Sequence, residues 1–138
     1  MTTEMQYVDR AERGTLTPPV GERDHVTGPA TAPVTLVEYG DFECASCRKA
    51  WPMVKELQRR LGKSLRFVFR NFPLTKLHPN AQHAAEAAEA AAGVNDDVLS
   101  GLKSGVNGTP TFFINGGRYD GPHGTEPLFE ALQVASQS

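Results

Sequence analysis

Val34-Thr-Leu-Val-Glu-Tyr-Gly-Asp-Phe-Glu-Cys44-Ala-Ser-Cys47-Arg-Lys-Ala-Trp-Pro52 is the stretch whose reading decides the fold. Residues Val34 to Tyr39 are β-branched or apolar and bounded by turn formers, the pattern of a short buried strand. Gly40 and Asp41 break it. From Cys44 the pattern turns helical, with Trp51, Val54, Leu57 and Leu61 spaced along one face. A Cys-x-x-Cys therefore lies at a strand-to-helix junction, and it holds the only two cysteines of the chain.

That position has chemical consequences. The first turn of a helix presents unpaired N–H groups and the positive end of the macrodipole, so it stabilises an anion. A thiol placed there ionises more easily, and the thiolate is the reactive form. Arg48 and Lys49 add positive charge nearby. The placement makes Cys44 the exposed nucleophile and Cys47, one turn further in, the buried resolving thiol. Two other uses of the pair stand beside redox exchange. A structural disulfide across two residues closes too short a loop to stabilise much. A zinc site needs four ligands, and His25, His78, His83 and His123 are scattered, none at ligand spacing to a second cysteine.

The motif Phe42-Glu43-Cys44-Ala45-Ser46-Cys47, with the strand before it, resembles the thioredoxin superfamily and, within it, the DsbA-like disulfide oxidoreductases. Glu38, six positions before Cys44, stands where that family carries a buried acid beneath the cysteines. Pro52 stands where it has a kinking proline, and Gly108-Thr109-Pro110-Thr111 is similar to its cis-proline loop. The resemblance runs from about His25 to the last helix. It implies catalytic roles for Cys44, Cys47 and Glu38, and a substrate-binding role for Thr109 and Pro110. It also implies no cofactor beyond a redox-active Cys44–Cys47 disulfide, and protein or peptide thiols and disulfides as partners, with a redox recycling partner.

The remaining chain is read in the same way. At 138 residues it makes one domain. We read residues 1–26 as a partly flexible extension, 27–138 as the thioredoxin-like domain, and about 78–105 as the insert region. A net charge of −2 suggests neither nucleic acid nor an acidic membrane surface as partner. No apolar run is long enough to span a bilayer. Residues 1–26 lack the apolar core and cleavage site of a secretory signal, so the sequence as it stands predicts a cytoplasmic protein. Thr15 to Val20 can add an edge strand, and Gly28 to Pro33 forms a turn. The first helix is expected to run to Arg60, with Gly62 as its stop. Leu65 to Phe69 forms a second strand parallel to the first.

An alanine-rich helix is predicted over Asn80 to Ala92. A short one follows over Asp96 to Ser104, with Val98, Leu99 and Leu102 facing inward. After Pro110 a strand covers Thr111 to Asn115, Gly116-Gly117 makes a hairpin turn, and Arg118 to Asp120 forms the final strand. Thr125 then caps a last helix that buries Leu128, Phe129 and Leu132. The expected architecture is an α/β thioredoxin-like fold, a mixed central sheet with helices on both faces. DsbA-like proteins usually insert a larger helical domain than the forty or so residues between Arg70 and Pro110 allow. A reduced insert predicts bare apolar surface, and a homodimer through it is one expectation. The function expected is thiol–disulfide exchange on protein substrates, by a mixed disulfide at Cys44 that Cys47 resolves. The alternative is a non-catalytic metal- or peptide-binding module on the same scaffold.

Overall fold

The computed structural model describes residues 14–41, 43–73 and 94–137. Five strands form one mixed sheet: β1 (His25–Thr27), β2 (Val34–Gly40), β3 (Leu65–Asn71), β4 (Thr111–Ile114) and β5 (Gly117–Tyr119), in the order β1-β3-β2-β4-β5. Only β2 and β3 run parallel, in register from Val34 opposite Leu65 to Gly40 opposite Asn71. Helix α1 (Ala45–Leu61) makes the crossover between them, followed by one 3-10 turn, Gly62–Ser64. Helices α2 (Val94–Lys103) and α3 (Thr125–Ser136) complete the described elements.

All seven residues of β2 are buried, because both faces of the central strand are covered. Its alternation sorts them between two cores. Val34 and Leu36 pack with Val54 and Leu57 of α1 and Leu128 and Leu132 of α3. Val37 and Tyr39 point the other way, toward Val68, Phe72, Phe113 and the half-buried Val98 of α2. Helices thus lie on both faces, as the sequence predicts.

Several elements differ from the sequence reading. β1 was not anticipated, since three exposed residues carry no periodicity; it pairs antiparallel with β3 and falls across the boundary drawn at residue 26. The strand expected over Thr15 to Val20 reduces to one bridge, Thr15 to Gly117 on the β5 edge. Pro18 and Pro19 lack the N–H groups that would extend it. The segment is docked nonetheless: Leu16 is buried in the second core, and the Thr17 N–H donates to Ser104 Oγ at 2.8 Å. In α1 the buried stripe is Cys47, Ala50, Val54 and Leu57, and Trp51 lies half exposed beside it. The small Ala50 lets the helix approach the sheet, and the indole takes the flank.

Helix α2 corrects the reading most. Leu99 and Leu102, expected inside, are 53% and 60% exposed, and the inner face carries Ser100, Gly101 and Ser104. Gly101 faces inward because the Phe72 ring lies where its side chain would be: a Cβ there would stand 2.6 Å from Phe72 Cδ1. Ser100 faces inward because its hydroxyl shares a hydrogen bond with Tyr39 Oη at 2.7 Å. The same phenol accepts from Arg70 Nη1 at 2.9 Å, and Arg70 makes a two-pronged buried pair with Asp24 at 2.9 and 3.0 Å. This chain of bonds ties the segment before β1 to β2, β3 and α2.

The hairpin turn is Asn115–Gly116 rather than Gly116–Gly117, since Ile114 pairs with Gly117. Both turn residues have positive φ, +48° and +87°, as a type I′ turn requires. Thr125 is the first residue of α3, and its cap is Gly124, with no side-chain capping bond. The predicted helix Asn80–Ala92, with His83, and the position of His78 lie outside the described residues.

Candidate functional site

Cys44 occupies the N-cap of α1, extended at φ −70° and ψ 125°, and its carbonyl accepts the Arg48 N–H at 3.0 Å. The first turn of α1 carries no acidic residue, so nothing there offsets the positive end of the helix. Both cysteines are free thiols. The Cys44 thiol points to the Thr109 carbonyl oxygen at 3.6 Å, and Cys47 Sγ accepts the Asp41 N–H at 3.4 Å. The expectation of an exposed Cys44 over a buried Cys47 is not met: the two are 7% and 9% exposed. The Thr109 carbonyl lies against the first sulfur and the Asp41 amide against the second.

Burial and hydrogen bonding together separate their acidities. Burial pushes the Cys44 thiol up, but hydrogen bonding by Thr109 and by the Cys47 and Ser46 backbone outweighs it and leaves Cys44 below the ordinary thiol value. Burial pushes the Cys47 thiol up to about 12, and neither the Asp41 N–H nor Thr109 offsets this, while Cys44 beside it adds to the rise. Of the pair, Cys44 is therefore the thiol that ionises first.

Glu38 lies on the α1 face of β2, between Phe69 on one neighbouring strand and Phe112 on the other. It is 3% exposed, and burial pushes its carboxyl up to about 7. Among the described residues no cation pairs with it. Glu38, Asp41 and Cys47 open into one groove, so the acid and the second cysteine share a common space.

The Thr109–Pro110 peptide bond is cis, and this loop brings the residue before the proline against the cysteines. Two contributions were missed in the sequence. Asp41, read only as a strand breaker, supplies the N–H to Cys47, and its carboxylate fixes the turn by accepting the Glu43 N–H at 3.0 Å. The resemblance gives Thr109 a substrate-binding role and none toward the sulfurs. Its hydroxyl is buried without a partner of good hydrogen-bond geometry, yet lies close enough to both sulfurs to lower the pKa of each. A hydroxyl-bearing residue directly before a loop proline was the signal available. His123 packs its ring on Phe112 and Tyr119, a loop histidine as read. Among the described residues no cluster of three or more His, Cys, Asp or Glu side chains could hold a metal ion.

A βαβ unit with two thiols of opposed acidity at the carboxyl end of its first strand defines a thioredoxin-fold domain built for thiol–disulfide exchange. The thioredoxin family model matches residues 21–100, and the chain belongs to that family. In fold it is similar to BdbD from Bacillus subtilis, with a TM-score of 0.67 at 16% identity, covering 91% of this chain and 98% of that one. It is also similar to DsbA2 of Pseudomonas aeruginosa, with a TM-score of 0.63 at 19% identity, covering 83% and 96%.

Among curated proteins it is similar to the Na(+)/H(+) antiporter NhaA 3 of Salinispora tropica, 38% identical over 85% of this chain and 25% of the antiporter. A second similar protein is the Na(+)/H(+) antiporter NhaA 1 of Mycolicibacterium gilvum, 32% identical over 82% and 27%. The chain thus spans about a quarter of the length of these relatives. The first match runs over 166 positions, more than the whole chain. With about 117 residues of this chain engaged, about 49 positions are filled by the relative alone. Among the described residues no helix is long and apolar enough to cross a membrane.

Proposed function

We propose that the protein exchanges disulfides with protein or peptide thiols through Cys44 and Cys47, with Cys44 as the attacking atom. The observation that carries this reading is the placement of the pair: Cys44 at the N-cap of α1 against the Thr109 carbonyl, Cys47 one turn on and bonded to the Asp41 amide, with Cys44 the more acidic of the two. A thiolate at Cys44 attacks one sulfur of a substrate disulfide, forms the mixed disulfide and expels the other substrate sulfur as thiolate. Cys47 then loses its proton and attacks Cys44 Sγ. The second substrate thiolate leaves, and the protein keeps the Cys44–Cys47 disulfide. Run in reverse, the same steps oxidise a substrate dithiol.

In this reading Glu38 takes the Cys47 proton. Its carboxyl, raised to about 7, sits near neutral pH, where a base is both available and effective. Asp41 and Thr109 hold the sulfurs through the contacts above, and the cis-proline loop offers Thr109 backbone to a substrate chain. A separate redox partner restores the starting state. The antiporter relatives share this domain over a quarter of their length, so what is carried over from them is the redox module, not cation exchange.

The test is to equilibrate the Cys44–Cys47 couple against glutathione buffers and to repeat exchange with Cys44→Ser and Cys47→Ser. A reversible two-electron couple is expected, with Cys44→Ser inactive and Cys47→Ser accumulating the mixed disulfide. A potential near about −270 mV assigns a reductant, and one near about −120 mV assigns a disulfide donor. The absence of a reversible couple would overturn the reading in favour of a binding module.

A further inference from the structure

A groove of about 710 Å³ runs between α1 and the β1–β3 edge of the sheet. No helix packs over this strip among the described residues, because α3 covers the sheet on the other side of α1, toward β4 and β5. The floor is aromatic, formed by Phe67 and Phe69 of β3, and the half-exposed Trp51 of α1 makes one wall. Water wets such a surface poorly, and its size is that of a small-molecule pocket.

The rim has the opposite character. Arg48 and Lys55 stand two turns apart on the groove side of α1. Lys55 Nζ lies 4.5 Å from the centre of the Trp51 ring, and Arg48 Nη1 donates to the Glu43 carbonyl oxygen at 3.2 Å. Among the described residues neither cation has a carboxylate within ion-pair distance. On the same helix Arg59 and Arg60 are both paired with Glu56, so the groove side keeps two cations free of carboxylates among the described residues. The acidic side chains that line it, Glu38 and Asp41, are buried, whereas Arg48 and Lys55 are exposed.

We propose that this groove binds a small amphipathic carboxylate, an aryl- or alkyl-substituted acid, with its apolar body on Phe67, Phe69 and Trp51 and its anionic head at Arg48 and Lys55. A molecule seated there covers Cys47 and Glu38 from the side opposite Thr109, and leaves the Cys44 sulfur outside the groove. Binding at this site does not depend on the redox reading, and its readout is independent of turnover.

Trp51 is the only tryptophan in the chain and lines the groove, so its fluorescence reports occupancy. The reduced protein is titrated at low salt with 4-phenylbutyrate and, separately, with 4-phenylbutylamine, which has the same apolar body and the opposite charge. The acid is expected to change Trp51 emission saturably, and the amine to bind at least tenfold more weakly. In the double variant Arg48→Gln with Lys55→Gln, both at exposed positions, the acid should bind on the order of tenfold more weakly. This follows from two surface charge contacts of up to about 1 kcal/mol each. Raised ionic strength should weaken the acid as well. Equal binding of acid and amine, no saturable change, or unchanged affinity in the double variant would each overturn the proposal.

Discussion

Glu38→Gln should remove a pH dependence of stability that the wild-type domain owes to one buried carboxyl. Burial raises the folded-state pKa of Glu38 from 4.5 to about 7. The fold therefore prefers the protonated acid, and the unfolded chain does not. Below about pH 4.5 both states hold the proton and Glu38 has no effect. Between 4.5 and 7 the unfolded state ionises while the folded state keeps its proton, so stability falls as pH rises. Above 7 both are ionised and the loss is complete. The difference of about 2.5 units at about 1.4 kcal/mol per unit makes that loss about 3 kcal/mol.

Glutamine fills the same space and cannot ionise, and whatever it costs in hydrogen bonding is independent of pH. The assay is urea unfolding of the reduced protein at pH 4 and pH 8, wild type against Glu38→Gln. With a slope of about 2 kcal/mol per molar urea, the gap between the two midpoints should change by about 1.5 M across that range. The variant should gain at the alkaline end. Midpoints that stay parallel would mean that Glu38 ionises as freely in the fold as in the unfolded chain. The argument for a dry acid beneath Cys47 would then fail.

Three further outcomes are expected. Asp24→Asn leaves the Arg70 guanidinium buried without its counter-charge and should cost about 3 kcal/mol in chemical unfolding. In the wild type, burial works against the Asp24 carboxylate but Arg70 outweighs it and lowers its pKa. The pair's contribution is therefore present above the unfolded carboxylate pKa and lost as pH falls through the folded one, a slope the variant should lack. Gly101→Ala gains about 1 kcal/mol of helix propensity, but its methyl would stand 2.6 Å from the Phe72 ring. Overpacking of up to about 3 kcal/mol exceeds that gain, so the urea midpoint should fall, by the equivalent of up to about 2 kcal/mol, and a raised midpoint would show that α2 packs differently. Thr109→Val removes the hydroxyl beside both sulfurs. Thiolate absorbance or alkylation rate followed against pH should place the Cys44 pKa above its wild-type value, with the far-ultraviolet spectrum unchanged.

The sequence by itself determined the βαβ unit and the place of its chemistry. β-Branched alternation from Val34 to Tyr39, a break at Gly40-Asp41 and a helical repeat afterwards leave Cys44 little choice but a helix N-terminus. Those are local signals, carried by neighbours in the chain. That Glu38 and Cys47 would share one groove was legible only through a family resemblance, since nothing within six residues of Glu38 shows which face of the strand will be covered.

The tertiary structure decided what depends on distant contacts. Leu99 and Leu102 look like a buried stripe, yet Gly101 and Ser100 face inward, because Phe72 and Tyr39, far away in sequence, offer one a ring to lie on and the other a hydroxyl to bond. Three exposed residues form β1 because the β3 edge has N–H and C=O groups to pair, not because of any pattern of their own. The opposed acidities of Cys44 and Cys47 arise from burial, which raises Cys47, and from hydrogen bonding that lowers Cys44, in part by Thr109, 65 residues away. Local propensity places a thiol at a helix end; only packing fixes what its sulfur touches and how deeply it is buried, and these decide which thiol is the more acidic.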